Sequence, residues 1–421
     1  MAVHQPIGTR DMLLGLLLVL LSGSPLFLPL GNVELTLIPS AVLLAVLYVR
    51  SAHPKMKRSD LLVFAIFGAL TAIQVASLQL ASLYTAMGFF ARLFIAFAVV
   101  RLTNNSTFLI VRVITVFAIL ADVMFVIDIV LDSFGLDLAE ILKPISISTG
   151  SEGEVYAIIQ NFKPDEDRGR NAGIFWEPGA LSGYCLLALI LWGITKDRYS
   201  TQHSWVVVVS LVTAILSTFS TTGYVLLPLV LLVSIVPRRS IKLTKFLATV
   251  LIVVPILLLA LVQIAQLSFV RDKIQDQFFA VGVEGKKWQL NRIGQLVNDV
   301  DDFIARPLTG WGANQRIRPS AAELDEVTQT AQGNGLSIFI VQYGLCGFAA
   351  FICFGYRNLR RSQQNSALVA GYAMVLLCFT LMGEAFLNYP LFLSLLFIPN
   401  SDSGGFPVLI RLIPGARLSQ A

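Results

Sequence analysis

A chain of 421 residues that is 56% hydrophobic and only 14% charged, with a mean hydropathy of +0.74, lies outside the range of soluble globular domains. Its apolar runs of about 17–25 residues suit bilayer-spanning helices and exclude a barrel, whose strands alternate over about 10 residues. The net charge of +5 does not point to nucleic acid, because the bases gather in short loops between apolar runs, where membrane orientation places them.

The expected fold is therefore an all-α integral membrane protein, a single polytopic domain over residues 1–421. Met12–Leu30 opens the chain as a retained span rather than a signal peptide: it is long, lacks a small-residue cleavage pattern, and a second apolar run follows at once. Further spans are predicted at Val33–Val49, Leu61–Leu80, Tyr84–Val100, Phe108–Leu131, Ile174–Ile194, Ser204–Phe219, Thr221–Val236, Phe246–Leu267, Gly333–Tyr356, Ala367–Glu384 and Tyr389–Ile398. That gives about 12 transmembrane helices. The pair around Ser220-Thr221-Thr222-Gly223 reads as two spans or as one broken helix, and the last run is short enough to be re-entrant.

Orientation follows from the loop bases. Arg50, Lys55, Lys57 and Arg58, then Arg101, Lys196, Arg198, Arg238, Arg239, Lys242 and Lys245, and finally Arg357, Arg360 and Arg361 all fall on one side. The alternate turns near Gly31, Leu83, Thr221 and Leu387 carry no Lys or Arg, so the positive-inside rule places both termini in the cytoplasm. Two long polar segments, Asp132–Gly173 and Ser268–Gln332, then lie outside, which in a bacterium is the periplasm.

The second of these segments holds its own helix. Between Trp288 and Ile304 the residues Leu290, Ile293, Leu296, Val297, Val300, Phe303 and Ile304 recur at helical spacing, with Arg292, Gln295, Asp299 and Asp302 as a polar stripe. Such a helix lies on the membrane or covers a cavity. Pro307 ends it, and Gly310-Trp311-Gly312 makes a turn. The acidic cluster Asp299, Asp301 and Asp302 reads as a solvated face of this helix rather than a cation site.

The stretch Arg168 to Gly183 joins the first polar segment to a span. Two arginines, Phe175-Trp176 and Glu177 precede Pro178, which suits a first helical position, so Glu177 stands at a helix mouth. A helix N-terminus with Arg168 and Arg170 nearby is an anion site. Inside the bundle, Arg92 and Arg112 each cost roughly 2.5–3.5 kcal/mol unless paired or wetted. Asp122, Asp128, Glu177, Glu384 and Glu34 run from mid-span to the outer helix ends, which predicts a polar cavity open to the outside. Simple pairing of Arg92 with Asp122 is the plainer alternative. Cys185, Cys346, Cys353 and Cys378 lie in predicted spans and His4, His53 and His203 in cytoplasmic segments, so no metal and no cofactor is expected.

Three motifs carry a resemblance. Arg170-Asn-Ala-Gly-Ile-Phe-Trp-Glu-Pro-Gly, with Arg168 eleven positions before Gly179, resembles a segment of bacterial O-antigen and exopolysaccharide polymerases, relatives of the O-antigen ligases. Arg292 followed by Arg306-Pro307-Leu308-Thr309-Gly310-Trp311-Gly312 is similar to that family's arginine and proline-leucine-x-glycine-x-glycine. Asn334-Gly335-Leu336 with Tyr343-Gly344-Leu345-Cys346-Gly347 makes the third match, and the three keep the family's order. Two departures stand out. Gly333 replaces the histidine usual in ligases, and the arginine often found after the serine of the middle helix turn is missing at Ser220-Thr221-Thr222-Gly223.

The resemblance implies a transferase of the inner membrane that moves a growing glycan from undecaprenyl diphosphate to a sugar hydroxyl of another lipid-linked repeat unit, beside a flippase and a chain-length regulator. The departing diphosphate needs charge stabilisation, which arginine supplies with paired hydrogen bonds and no metal. Arg170 and Arg292 are the expected pair, with Arg168, Arg306, Arg316 and Arg318 as further phosphate binders. Glu177 is the expected general base, or else orients Arg170 or binds sugar hydroxyls. Trp176 and Trp311 are read as stacking faces for sugars, with membrane-interface anchoring as the alternative, and Asn334 joins the substrate-binding set. Two rivals remain: an O-antigen ligase, made less apt by the missing histidine, and a lipid-linked sugar flippase, disfavoured because nothing in the first third repeats the later loops.

Overall fold

A computed structural model describes residues 8–25, 33–51, 56–78, 83–103, 105–146, 155–157, 160–162, 169–196, 204–235, 244, 292–314, 317–322, 334–362 and 366–398. The expected span Phe246–Leu267, Trp288, Arg168, Arg316 and the side chain of Arg292 lie outside the described residues.

Helix dominates what is described, as the apolar composition requires. The first five helices are α1 (Thr9–Leu20), α2 (Val33–Arg50), α3 (Arg58–Leu78), α4 (Leu83–Leu102) and α5 (Ser106–Ser133). A short α6 (Leu138–Leu142) follows, and then come α7 (Pro178–Thr195), α8 (Ser204–Ser217) and α9 (Thr221–Ile235). The remainder are α10 (Arg292–Ala305), α11 (Gly335–Ser362), α12 (Ala367–Leu381) and the single turn α13 (Pro390–Leu393). Among the described residues five helical stretches, Arg58–Ser77, Thr85–Leu102, Ser106–Ser133, Pro178–Thr195 and Gly335–Arg361, are long and apolar enough to cross a membrane. Shorter apolar helices cover Thr36–Arg50, Trp205–Ser217, Thr221–Val233 and Ala367–Leu381. The chain is thus a helical protein built for a bilayer.

At the centre stands α7, buried along nearly its whole length and packed by α5, α8, α9 and α12. An all-round apolar helix belongs inside other helices, and this one is enclosed by them. The Ser220 region resolves into two helices: α8 ends at Ser217, Phe219 takes a positive φ of 48°, and Ser220 caps α9 by accepting from Gly223 N at 3.4 Å. The last apolar run likewise breaks into α13 and a 3-10 turn at Ser394–Leu396, too short to span.

The first polar segment contains something hydropathy did not announce, a small antiparallel hairpin. Strands β1 (Val155–Ala157) and β2 (Gln160–Phe162) pair with Tyr156 opposite Asn161. Tyr156 and Asn161 are fully buried, and the Tyr156 hydroxyl meets Ser24 Oγ at 2.9 Å beyond the end of α1.

Helix α10 corrects the reading of its acidic stripe. Asp299 and Asp302 are buried, whereas Leu296, Val297, Val300 and Ile304 are exposed. The polar face turns toward the protein and the apolar face away from it. A stripe alone states that two faces differ; which one meets the protein depends on the surrounding medium, and an outward apolar face fits a lipid boundary. Asp302 accepts from Ser320 N at 3.0 Å and Ser320 Oγ at 2.7 Å, and Asp299 accepts from Ser337 Oγ.

Beyond α10 the chain plugs into a break in α11. Gly344 has φ 62° and ψ −173° inside that helix, and the freed groups pair with the incoming loop: Leu345 N donates to Pro307 O at 2.7 Å, Trp311 N to Val341 O at 2.9 Å and Gly312 N to Gln342 O at 2.9 Å. Gln74 Nε2 closes the joint onto Thr309 O at 2.5 Å and Gln342 O at 2.8 Å. Two of the recognised glycine motifs therefore dock on each other.

Candidate functional site

Four chain segments meet at a cavity of about 170 Å³: the loop ending at Glu177 with the first turns of α7, the α8–α9 junction, the end of α12, and the turn around Phe386. Arg170, Glu177 and Glu384 reach it, with hydroxyls from Ser182, Thr221 and Thr380. The N-termini of both α7 and α9 point into it, so backbone N–H groups and two positive helix ends face the space.

The loop before Glu177 is strapped in place by amides. Asn161 N donates to Gly173 O at 2.7 Å, and Asn161 Nδ2 donates to the carbonyls of Phe175 and Trp176 at 3.1 and 3.2 Å. Asn171 N and Nδ2 bind Ser217 O and Oγ at 3.0 and 2.9 Å, tying the loop to the end of α8. One residue earlier, Arg170 Nε donates to Thr218 O at 3.2 Å, which fixes the guanidinium beside the α8–α9 junction. The side chain of Glu177, at the N-cap of α7, does not cap that helix. Its Oε1 is buried and accepts no hydrogen bond among the described residues, and Ser182 Oγ, in a residue 1% exposed, is in the same state.

Glu384 comes from the far end of the sequence. Gly179 separates it from Glu177: a Cβ placed on that glycine would stand 3.0 Å from Glu384 Oε1 and 3.4 Å from Glu177 Oε1. Two carboxylates thus converge over the bare first turn of α7. Glu384 is 2% exposed, and its backbone is held against the start of α11, where a Cβ on Gly335 would overlap the Glu384 carbonyl.

The expected site residues divide into groups. Arg170 and Glu177 share the cavity. Asn334 is close by but structural, capping α11 by accepting from Leu336 N at 3.1 Å and Ser337 N at 3.4 Å. Arg318 pairs with Asp299 at 3.5 Å behind that cap. Burial outweighs attraction for both partners: loss of water pushes the Asp299 carboxyl up, with Ser337 and Arg318 opposing, and the Arg318 guanidinium down. Arg306 and Trp311 serve each other: the guanidinium lies 5.3 Å over the indole, Arg306 Nη2 donates to Ser77 Oγ at 2.7 Å, and Trp311 Nε1 donates to Asp302 O at 2.7 Å. Trp176 stacks on Tyr389 at 4.8 Å beside Tyr184 and Phe386, so it closes an aromatic cluster. Arg292 opens α10, two helical turns before Asp299.

Arg92 and Asp122 do not form the simple pair. Asp122 accepts from Thr213 Oγ1 at 2.6 Å and Ser217 Oγ at 3.4 Å, while the Arg92 charge bears on Tyr343 and Tyr389, the latter also within reach of Glu177 and Glu384. Sequence reasoning had Glu384 among the interior charges but not in the site; its spacing from Glu177 carries no local signal. Among the described residues no group of three or more His, Cys, Asp or Glu side chains is arranged to hold a metal ion. Compared with known proteins, the chain matches no family model and no curated protein.

Proposed function

We propose that this chain is a membrane glycosyltransferase that polymerises undecaprenyl-diphosphate-linked oligosaccharide repeat units into O-antigen, capsule or exopolysaccharide. One observation carries the reading: Arg170, two helix N-termini and two carboxylates meet in one polar cavity within an apolar bundle. Positive groups fixed in place stabilise the charge that grows on a departing diphosphate, and carboxylates beside them handle the sugar hydroxyl that attacks. The order of the three motifs in the sequence supports the same reading.

The protein sits in the bacterial inner membrane with both termini in the cytoplasm. The ends of α4, α7 and α11 that carry Arg101, Lys196 and Arg360–Arg361 lie away from the cavity, so the positive-inside rule turns the cavity to the periplasm. Donor and acceptor are both lipid-linked units, delivered by a flippase and limited in length by a regulator. Arg292, leading the helix that docks beside Asn334, is the second arginine of the proposed site.

The test is polymer length on a gel from cells whose own copy is replaced by Arg170→Ala, Arg292→Ala or Glu177→Ala, with membrane levels checked. Loss of one preorganised charge costs about 10²–10³ in turnover, so single repeat units without polymer are expected. Normal polymer from all three at normal protein levels overturns the site. Long polymer left on its lipid carrier would make the protein a ligase.

A further inference from the structure

We infer that the trough between α3 and α4 binds an anionic phospholipid of the outer leaflet, with a hydrocarbon chain in the trough and the phosphate at Arg306. The site depends on the membrane setting and on an outward-facing end of α3, not on the transferase reaction. On α3 the small residues Gly68, Ala72 and Ala76 recur at every fourth position and so share one face. With Ala86, Met87 and Phe90 of α4 they line an apolar trough of about 490 Å³. It is open sideways: Ala72 and Met87 are exposed, and a Cβ on Gly68 would meet nothing within 4 Å.

Small residues alone name no ligand, but the mouth of the trough does. Thr71, Val75 and Ala86 also line a polar recess, where Thr85, Asn314 and the indole of Trp311 join them. The Arg306 guanidinium lies 5.3 Å over that indole, and its Nη2 donates to Ser77 Oγ at 2.7 Å, one residue beyond the trough wall at Ala76. Ser77 is exposed and Arg306 half-exposed; among the described residues the guanidinium forms no ion pair and leaves Nη1 unbonded. On either side of it Ile304 and Leu308 are exposed, as on a segment set against lipid. A cation at the mouth of an apolar trough matches a phosphate above a hydrocarbon chain.

The mouth lies at the end of α3 opposite Arg58, which the positive-inside rule turns to the outer leaflet. Trough and recess share no residue with the Arg170 cavity, so the occupant is a lipid of the surrounding bilayer rather than a reacting unit. Bound there, it ties the α3–α4 pair to the segment that plugs the break in α11.

The full-length chain, purified in detergent, is melted while phosphatidylglycerol or phosphatidylcholine is added, and retained lipid is counted by native mass spectrometry. Phosphatidylglycerol is expected to be retained as one tightly held molecule and to raise the melting temperature more than phosphatidylcholine does. Arg306→Gln is expected to weaken its binding about fivefold, and Arg306→Lys to weaken it less. Ala72→Trp, which fills the trough from an exposed position, is expected to displace both lipids. Because lipid is counted directly, the result stands even where a variant lowers the lipid-free melting temperature. Phosphatidylglycerol binding unchanged in either Arg306→Gln or Ala72→Trp overturns the site. So does equal stabilisation by inorganic phosphate, which would mean that no chain is bound. Displacement by an equimolar polyprenyl phosphate overturns it as well, by giving the trough to the lipid carrier.

Discussion

Gly335 decides how closely α11 approaches the Glu384 backbone, because a methyl group there overlaps a carbonyl that has no rotamer to move. Overpacking of this kind costs about 1–3 kcal/mol. Gly335→Ala is expected to lower the melting temperature in detergent and to cut polymer formation by shifting Glu384. Gly68→Ala, on α3 with nothing within 4 Å of the new methyl group, serves as the comparison and leaves both unchanged. Equal behaviour of the two variants would mean that α11 has room to retreat. Tyr184 makes a related point about positioning: its hydroxyl donates to Ser22 O while its ring stacks on Phe175 at 4.4 Å, so one buried side chain sets the end of α1 against the loop that leads to Glu177.

Among the elements, α10 holds its segment to the bundle through two buried carboxylates. Burial raises the Asp299 carboxyl, so its contribution to docking is complete below the ordinary carboxyl range and falls as pH rises through the raised value. Hydrogen exchange at the Ser320 amide should therefore quicken between acid and neutral pH once the intrinsic pH dependence of exchange is removed. Asp299→Asn should abolish that dependence while keeping the segment docked. Asp302→Ala should loosen it, because the Ser320 amide loses its acceptor, at about 1–3 kcal/mol. The helix itself was legible in the sequence, since its apolar spacing is local. Its inversion was not, because periodicity does not say whether lipid or protein lies on the apolar side. The same holds for Arg306, Trp311 and the glycines around them: their motif was visible, but the backbone joint at Gly344 that occupies them is a tertiary fact. Arg170 and Glu177 were found because a helix-mouth pattern is contiguous; Glu384, some 200 residues later, needed the fold.

Taken whole, the bundle separates charge along its axis, with bases at one end and the cavity at the other. Alkaline phosphatase fused after residue 219, beside the α8–α9 junction, should be active, and the same fusion after residue 199 inactive, if the cavity faces the periplasm. The reverse pattern would invert the protein. Since Glu384 arrives only after α11 and α12, the order in which ribosomes release these helices has a consequence for the cell. A nascent chain inserted as far as α9 already carries Arg170 and Glu177 beside the α9 N-terminus but lacks the wall that Thr380 and Glu384 supply. Under the proposed function a half-made copy would be inert, and the site would close only when α12 is in place.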